Sequence, residues 1–310
     1  MTHDCLLSRR TAPAVAVLAL LSWGATMAQD EAAARSSVRV MTFNIRYDNA
    51  RDGENAWPHR RDWVARIIRS READVVGCQE ALRSQIADLE QRLPGYAWYG
   101  VGRDDGEERG EFVPVFYLKD RFEPLERASF WLSEAPQTPG SSGWDASLPR
   151  VTSVVRLTDR RSGATLLVVN THFDHRGAEA RLGSARLVKK EIAARRRNDE
   201  AVVFMGDLNC TPESAPYRVL AAEDATAGPV LKDARGLSRM KPAGPLSTWN
   251  GFAQIAPDTR IDYIFVAGPV GVESYRTIDE SRDGRFPSDH LPVMAELAFS
   301  RPAAGDGSVR

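Results

Sequence analysis

Residues 201–209 read AVVFMGDLN: a run of apolar residues, one glycine, then Asp207 and Asn209. Such a run closed by polar turn formers predicts a strand over 201–206 that carries carboxylate and amide oxygens to the edge of a sheet. Asp207 and Asn209 are two apart, so both would point to one side if the strand continues. Just upstream, 178–197 places Leu182, Ala185, Val188 and Ile192 at helical spacing, with Arg and Lys elsewhere. Arg195, Arg196 and Arg197 then read as the solvated end of that helix. Before it, 164–171 (ATLLVVNT) predicts another strand, ending at His172. Strands and helices interleaved in this way predict a mixed α/β chain.

The pattern extends outward. Strands are predicted at 38–45 (VRVMTFNI), 73–79 (ADVVGCQ), 112–118 (FVPVFYL), 151–158 (VTSVVRLT), 260–266 (RIDYIFV) and 292–299 (PVMAELAF). A helix is predicted over 60–72, with Trp63, Ile67 and Ile68 sharing a face. Polar residues again mark the strand ends: Asn44 closes the first run, Glu80 follows ADVVGCQ, and Asp289-His290 precede LPVMAEL. Oxygen donors gathered at strand ends without clustered cysteine suit a hard ion such as Mg²⁺, Mn²⁺ or Ca²⁺. Histidines beside them can manage protons near neutral pH. The Pro- and Gly-rich segments 133–149 and 241–258 predict long loops inside one domain, about 37–300, followed by a frayed polar tail at 301–310.

Composition narrows the choices. The 310 residues are 43% hydrophobic and 27% charged, which excludes wholesale disorder and collagen-like order. A net charge of -1 gives no general pull toward nucleic acid or anionic membranes. Five histidines and three cysteines argue against a zinc framework or a disulfide scaffold. Residues 1–28 read as an export signal: Arg9 and Arg10, an apolar core from Ala12 to Trp23, and small residues before a cleavage point at Gln29. The alternative is an uncleaved anchor. Export would place the chain in the periplasm or outside the cell, with no transmembrane segment in the mature part. Cleavage removes Arg9, Arg10 and Asp4, leaving 39 basic against 41 acidic residues, a charge of -2. Cys78 and Cys210 would remain as free, packed thiols, beside four histidines.

Taken together, TFNIR (42–46), CQE (78–80), NTHFDH (170–175), GDLN (206–209), RIDYIF (260–265) and SDHLPV (288–293) resemble the endonuclease/exonuclease/phosphatase superfamily, the deoxyribonuclease-like metal-dependent phosphoesterases. AWPHRR (56–61), GRDDGEERGEF (102–112), FWLSE (130–134) and GWDASLPR (143–150) resemble an exported bacterial branch of it. The resemblance covers about 38–299. It implies a four-layer α/β/β/α sandwich, two mixed β-sheets packed face to face with helices outside. It implies Mg²⁺ or Mn²⁺ held near Asn44, Glu80 and Asp289. Asp207 and Asn209 would contact the phosphate, the attacking water or a second metal. His172 and His290 would flank the phosphate, Asp262 would orient His290, and Glu111 would support His172. Whether Asp207 or His290 is the general base stays open.

Around this centre Arg46, Arg103 and Arg150 are the nearest cations, suited to further anionic groups. Trp57, Trp144 and Trp249 fall in predicted loops, either as a substrate rim or as loop anchors. NTHFDH departs from the NTHL common in other branches by adding Asp174 and His175. His175 is either a polar extension of the site or a plain loop histidine. The expected activity is an exported hydrolase of a small sugar- or lipid-linked phosphodiester or phosphomonoester, acting as a monomer. An extracellular nuclease is the alternative, nucleic acid being disfavoured by the charge. A catalytically inactive binding module of the same fold is the third reading.

Overall fold

In β1 (Ser37–Asn44), Val38 and Val40 face one way and Met41 and Phe43 the other, and all four are fully buried. A strand buried on both faces lies between two layers, and the computed structural model shows them. It describes residues 37–197, 200–223 and 230–299, together with Met1. The export signal expected over 1–28 and the tail expected over 301–310 lie outside the described residues.

The first sheet runs in the order β11 (Val270–Thr277), β12 (Val293–Phe299), β1, β2 (Val75–Gln79), β4 (Val115–Leu118), β3 (Tyr96–Tyr99). The second runs β5 (Phe122–Trp131), β6 (Val151–Asp159), β7 (Thr165–His172), β8 (Ala201–Asp207), β10 (Asp262–Ala267), β9 (Lys232–Asp233). Each is mixed: β1 pairs with β2, and β7 with β8, in parallel, while the other pairs are antiparallel. Val38, Val40 and Val75 of the first sheet meet Val168, Val203 and Ile264 of the second in one apolar layer. On the outer face of the first sheet, Phe43 and Val76 pack under α1 (Trp57–Ser70) and α2 (Arg83–Arg92). On the outer face of the second, Val169, Val202 and Phe204 pack under α3 (Ala178–Arg195) and α4 (Ala215–Ala221). The fold is the expected four-layer sandwich.

Four strands were not expected: β3, β5, β9 and β11. All four are sheet edges. β5 is half-solvated, with Glu123, Leu125 and Arg127 outside the core, so its apolar residues never form a run. The helix expected from residue 60 starts at Trp57, because Pro58 fits the first helical turn, where its missing N–H is no loss. Cys78 and Cys210 are free and buried, as expected. No helix among the described residues is long and apolar enough to cross a membrane.

Toward one end of the sandwich the inward-facing columns turn polar. Period-two alternation continues Val40 into Thr42 and Asn44, Val168 into Asn170 and His172, and Met205 into Asp207. The sheets are joined there by hydrogen bonds. Gln79 Nε2 donates to Asn170 Oδ1 (2.6 Å) and to Thr42 Oγ1 (3.1 Å), and Asn170 Nδ2 donates to Cys78 O (2.8 Å). Gly77 makes room for this bridge, since a Cβ there would lie 2.6 Å from Asn170 Oδ1.

Candidate active site

The polar end opens into a cleft of about 620 Å³. β7 and β8 are parallel neighbours with His172 in register with Asp207, and antiparallel β10 sets Asp262 opposite Asp207 on the other side. Three strands thus bring three functional groups to one level. Gly206 permits the approach, because a Cβ there would sit 2.0 Å from Thr171 O. From the first sheet, Asn44 ends β1 and Glu80 follows β2. Asn44 Nδ2 spans the two sheets, donating to Glu80 Oε1 and Asp207 Oδ2, both at 3.0 Å.

Three of these strand ends turn sharply through left-handed residues: Arg46 (φ 56), Glu80 (φ 59) and Asn209 (φ 47). Such backbone costs about 1–3 kcal/mol per residue and collects at functional sites. Here side chains hold it, with Asn44 Oδ1 accepting from Arg46 N (3.0 Å) and Asp207 Oδ1 from Asn209 N (2.9 Å). β8 therefore ends at Asp207, and Asn209 reaches the cleft by a turn instead of along a continuing strand. The Asp289-His290 segment is braced from the 247–250 loop: Asn250 N donates to Asp289 O (2.8 Å), and Trp249 bridges His290.

The two histidines sit in opposite electrostatic settings. His290 Nδ1 meets Asp262 Oδ2 at 2.9 Å, and its Nε2 lies 3.7 Å from Asp207 Oδ2. Burial opposes its charge, but Asp262 and Asp207 outweigh it and keep the imidazolium stable well above the usual pH. His172 is held well below its ordinary value by burial and by Arg150. Arg150 Nη1 approaches His172 Nδ1 at 3.2 Å. Arginine only donates, so Nδ1 is the acceptor and the ring proton sits on Nε2. That Nε2–H lies 3.0 Å from Asn209 Nδ2, whose amide also donates to Phe173 O. Asn209 and His172 are thus in direct contact at the same edge of the cleft.

The acidic side is crowded. Burial and the Asp262 charge push the Asp207 carboxyl up to about 7. Burial, with Glu80 adding to it, raises Asp289 and Glu111 as well. Glu80, Asp207 and His290 each offer one ligand atom within 4.8 Å of the others. Arg46 and the His290 imidazolium offset only part of this charge, and the oxygens of Glu80 and Asp207, with Asp289 close by, are a donor set for a hard divalent cation, so the residues present fit a metal.

Most expected site residues converge on the cleft. Arg46, Glu80, Glu111, Arg150, His172, His175, Asp207, Asn209, Trp249, Asp289 and His290 line it, while Asn44 and Asp262 lie beneath it. Three differ in role from the expectation. Asn44 faces the carboxylates with its amide nitrogen, its oxygen being taken by Arg46 N. Glu111 lies 3.9 Å from His172 Nδ1 and instead accepts from Arg103 Nη1 at 2.6 Å, the place beside His172 having gone to Arg150. Trp57 does not line the cleft: it is buried at the start of α1, its Nε1 donating to Asp88 (2.8 Å), so it is structural and not part of a rim. Leu148 and Tyr47 line the cleft unforeseen, neither having a polar strand-end signature.

Residues 41–290 match the Endonuclease/Exonuclease/phosphatase family, and the chain belongs to it. It is a hydrolase acting on phosphate esters. Among solved structures it is similar to an endonuclease/exonuclease/phosphatase from Bacteroides vulgatus, 39% identical with a TM-score of 0.81, covering 85% of this chain and 99% of that one. It is similar to a mannosyl-6-phosphatase of Bacteroides thetaiotaomicron VPI-5482, 34% identical with a TM-score of 0.77, covering 84% and 100%. A CCR4-Not complex 3'-5'-exoribonuclease subunit Ccr4 from Mycosarcoma maydis is 22% identical over 89% of this chain and 52% of that protein. This chain spans about half the length of the curated relatives it matches.

Proposed function

We propose that the chain is a divalent-metal-dependent phosphatase of small sugar phosphates, exported by its N-terminal segment. One observation carries the reading. Three arginines, Arg46, Arg103 and Arg150, line the same cleft as a mutually repelling set of carboxylates, in a volume suited to one small ligand. A wall that attracts an anion beside a floor that repels it is productive when a cation lies between them. The likeness to a sugar phosphatase at 34% identity over the whole of that chain points to a phosphomonoester.

Glu80 and Asp207, with Asp289 beside them, would hold Mg²⁺ or Mn²⁺, which when bound neutralises phosphate charge and acidifies water. The chain's own groups do the rest. His172 Nε2–H, with Asn209 beside it, would bind a nonbridging oxygen, a contact worth about 3 kcal/mol when it tightens in the transition state. Asp262 keeps His290 charged, so His290 protonates the leaving oxygen. Asp207 Oδ2, 3.5 Å from His172 Nε2 and 3.7 Å from His290 Nε2, is the carboxylate placed to take the proton from the attacking water.

Hydrolysis of hexose 6-phosphates, p-nitrophenyl phosphate and bis-p-nitrophenyl phosphate, alongside plasmid nicking, tests this. We expect monoester hydrolysis to dominate, to vanish with chelator and to return with Mg²⁺ or Mn²⁺. His290→Ala should lower it by at least ~10²-fold. Activity that survives the chelator, or a preference for plasmid, overturns the reading.

A further inference from the structure

We propose that His175 is a specificity-determining residue, a fixed Nε2–H donor that recognises a hydroxyl on the alcohol esterified to the phosphate. The inference rests on the sugar-phosphate reading above and adds a recognition element to it.

The argument starts at Arg150, a guanidinium only 4% exposed. Each of its three nitrogens has a partner. Nε donates to Asp174 Oδ2 (3.3 Å), Nη1 to His172 Nδ1 (3.2 Å) and Nη2 to His175 Nδ1 (2.9 Å). One planar cation therefore fixes two imidazoles at once, and because it can only donate, each ring carries its proton on Nε2. His172 is buried with Nε2 beside Asp207, at the reacting end. His175 is exposed where His172 is buried, so its free edge lies nearer the mouth of the same cleft. What meets it there is the group attached to the phosphate.

Asp174 makes this orientation rigid. Its Oδ1 accepts from Gly177 N (2.7 Å) and Arg176 N (2.9 Å), and Ser147 Oγ donates to its Oδ2 (2.9 Å). Against the pull of burial, those backbone N–H groups keep the carboxylate ionised. An ordinary surface histidine rotates freely, whereas this one is held from behind by a buried ion pair. Burial and the Arg150 charge also lower its basicity, so it meets substrate as a neutral donor at pH 7. Leu148 and Trp249, both partly exposed in the same lining, supply apolar surface against which the C–H face of a sugar can rest.

The test compares kcat/KM for a hexose 6-phosphate with that for p-nitrophenyl phosphate, which has no hydroxyl to recognise. In His175→Ala the ratio of the two should fall by about 5- to 10-fold, the size of one lost hydrogen bond, through KM for the sugar phosphate. His175→Gln, which keeps an N–H donor, should recover part of it. Asp174→Asn should move the ratio the same way, since Asp174 is a positioning residue acting through Arg150. An unchanged ratio in His175→Ala, or a parallel fall on both substrates, overturns the assignment while leaving the sugar-phosphatase reading intact. A wild-type enzyme that hydrolyses no sugar phosphate overturns that reading and the assignment with it.

Discussion

Asp207 serves the site at the expense of the fold. It is buried between His172, His290 and Asp262, and its carboxyl is pushed up to about 7. A carboxyl that holds its proton more tightly folded than unfolded contributes stability at low pH and loses it as the pH rises to the folded value. Chelator-treated protein should therefore lose stability between about pH 4, the unfolded value, and pH 7. Asp207→Asn removes the charge and keeps the shape. Thermal melts in chelator at pH 8 should show it about 3–6 °C more stable than wild type, or ~1–2 kcal/mol, although activity is lost. A melting point at or below that of wild type would remove the claim of stored repulsion. Much at this scale was legible, because polar residues closing apolar runs stand out. Which atom of Asn44 faces inward depends on Asp207, 163 positions away on the opposite sheet, and which side chain backs His172 depends on Arg150 reaching across from the neighbouring strand; no local pattern encodes either.

At the scale of elements, the division between what could be read and what could not follows burial. Strands inside the sheets are largely covered and spell mostly apolar or alternating runs, so β1, β2, β4, β6, β7, β8, β10 and β12 are all visible. The edges β3, β5, β9 and β11 share their faces with water and read like loops. The start of α1 misled for a related reason: Trp57 and Pro58 look like loop residues, yet proline suits a first turn and the indole is buried under it. This distinguishes two tryptophans. Trp57→Phe should cost about 1 kcal/mol through the lost bond to Asp88 and leave KM within about twofold of wild type. Trp249→Ala, at the cleft, should raise KM for a sugar phosphate with little change in melting point. Denaturant titration and steady-state kinetics on both variants check the contrast, and a KM effect at Trp57 would return it to the rim.

For the whole molecule, the near-zero charge sets the range of its electrostatics. A protein clamping six or more phosphates of a polymer loses about 10³-fold in affinity between 50 and 200 mM salt. With a net charge of -1 and only three arginines, Arg46, Arg103 and Arg150, lining the cleft, this chain should change its kcat/KM on a small phosphate ester by less than about threefold over that range. A steep fall would favour the nuclease alternative. The first sheet carries a different consequence. In it β1 and β12, the first and last described strands, are neighbours, Ser37 lying opposite Ala298. β1 runs toward the cleft and β12 runs away from it, so residues 37 and 299 leave side by side from the pole opposite the catalytic mouth, about 25 Å away along eight residues of strand. A linker of a few residues could join them, making the chain a natural subject for circular permutation. A fusion partner or solid support attached directly at residue 37 or 299 would leave the cleft facing the medium.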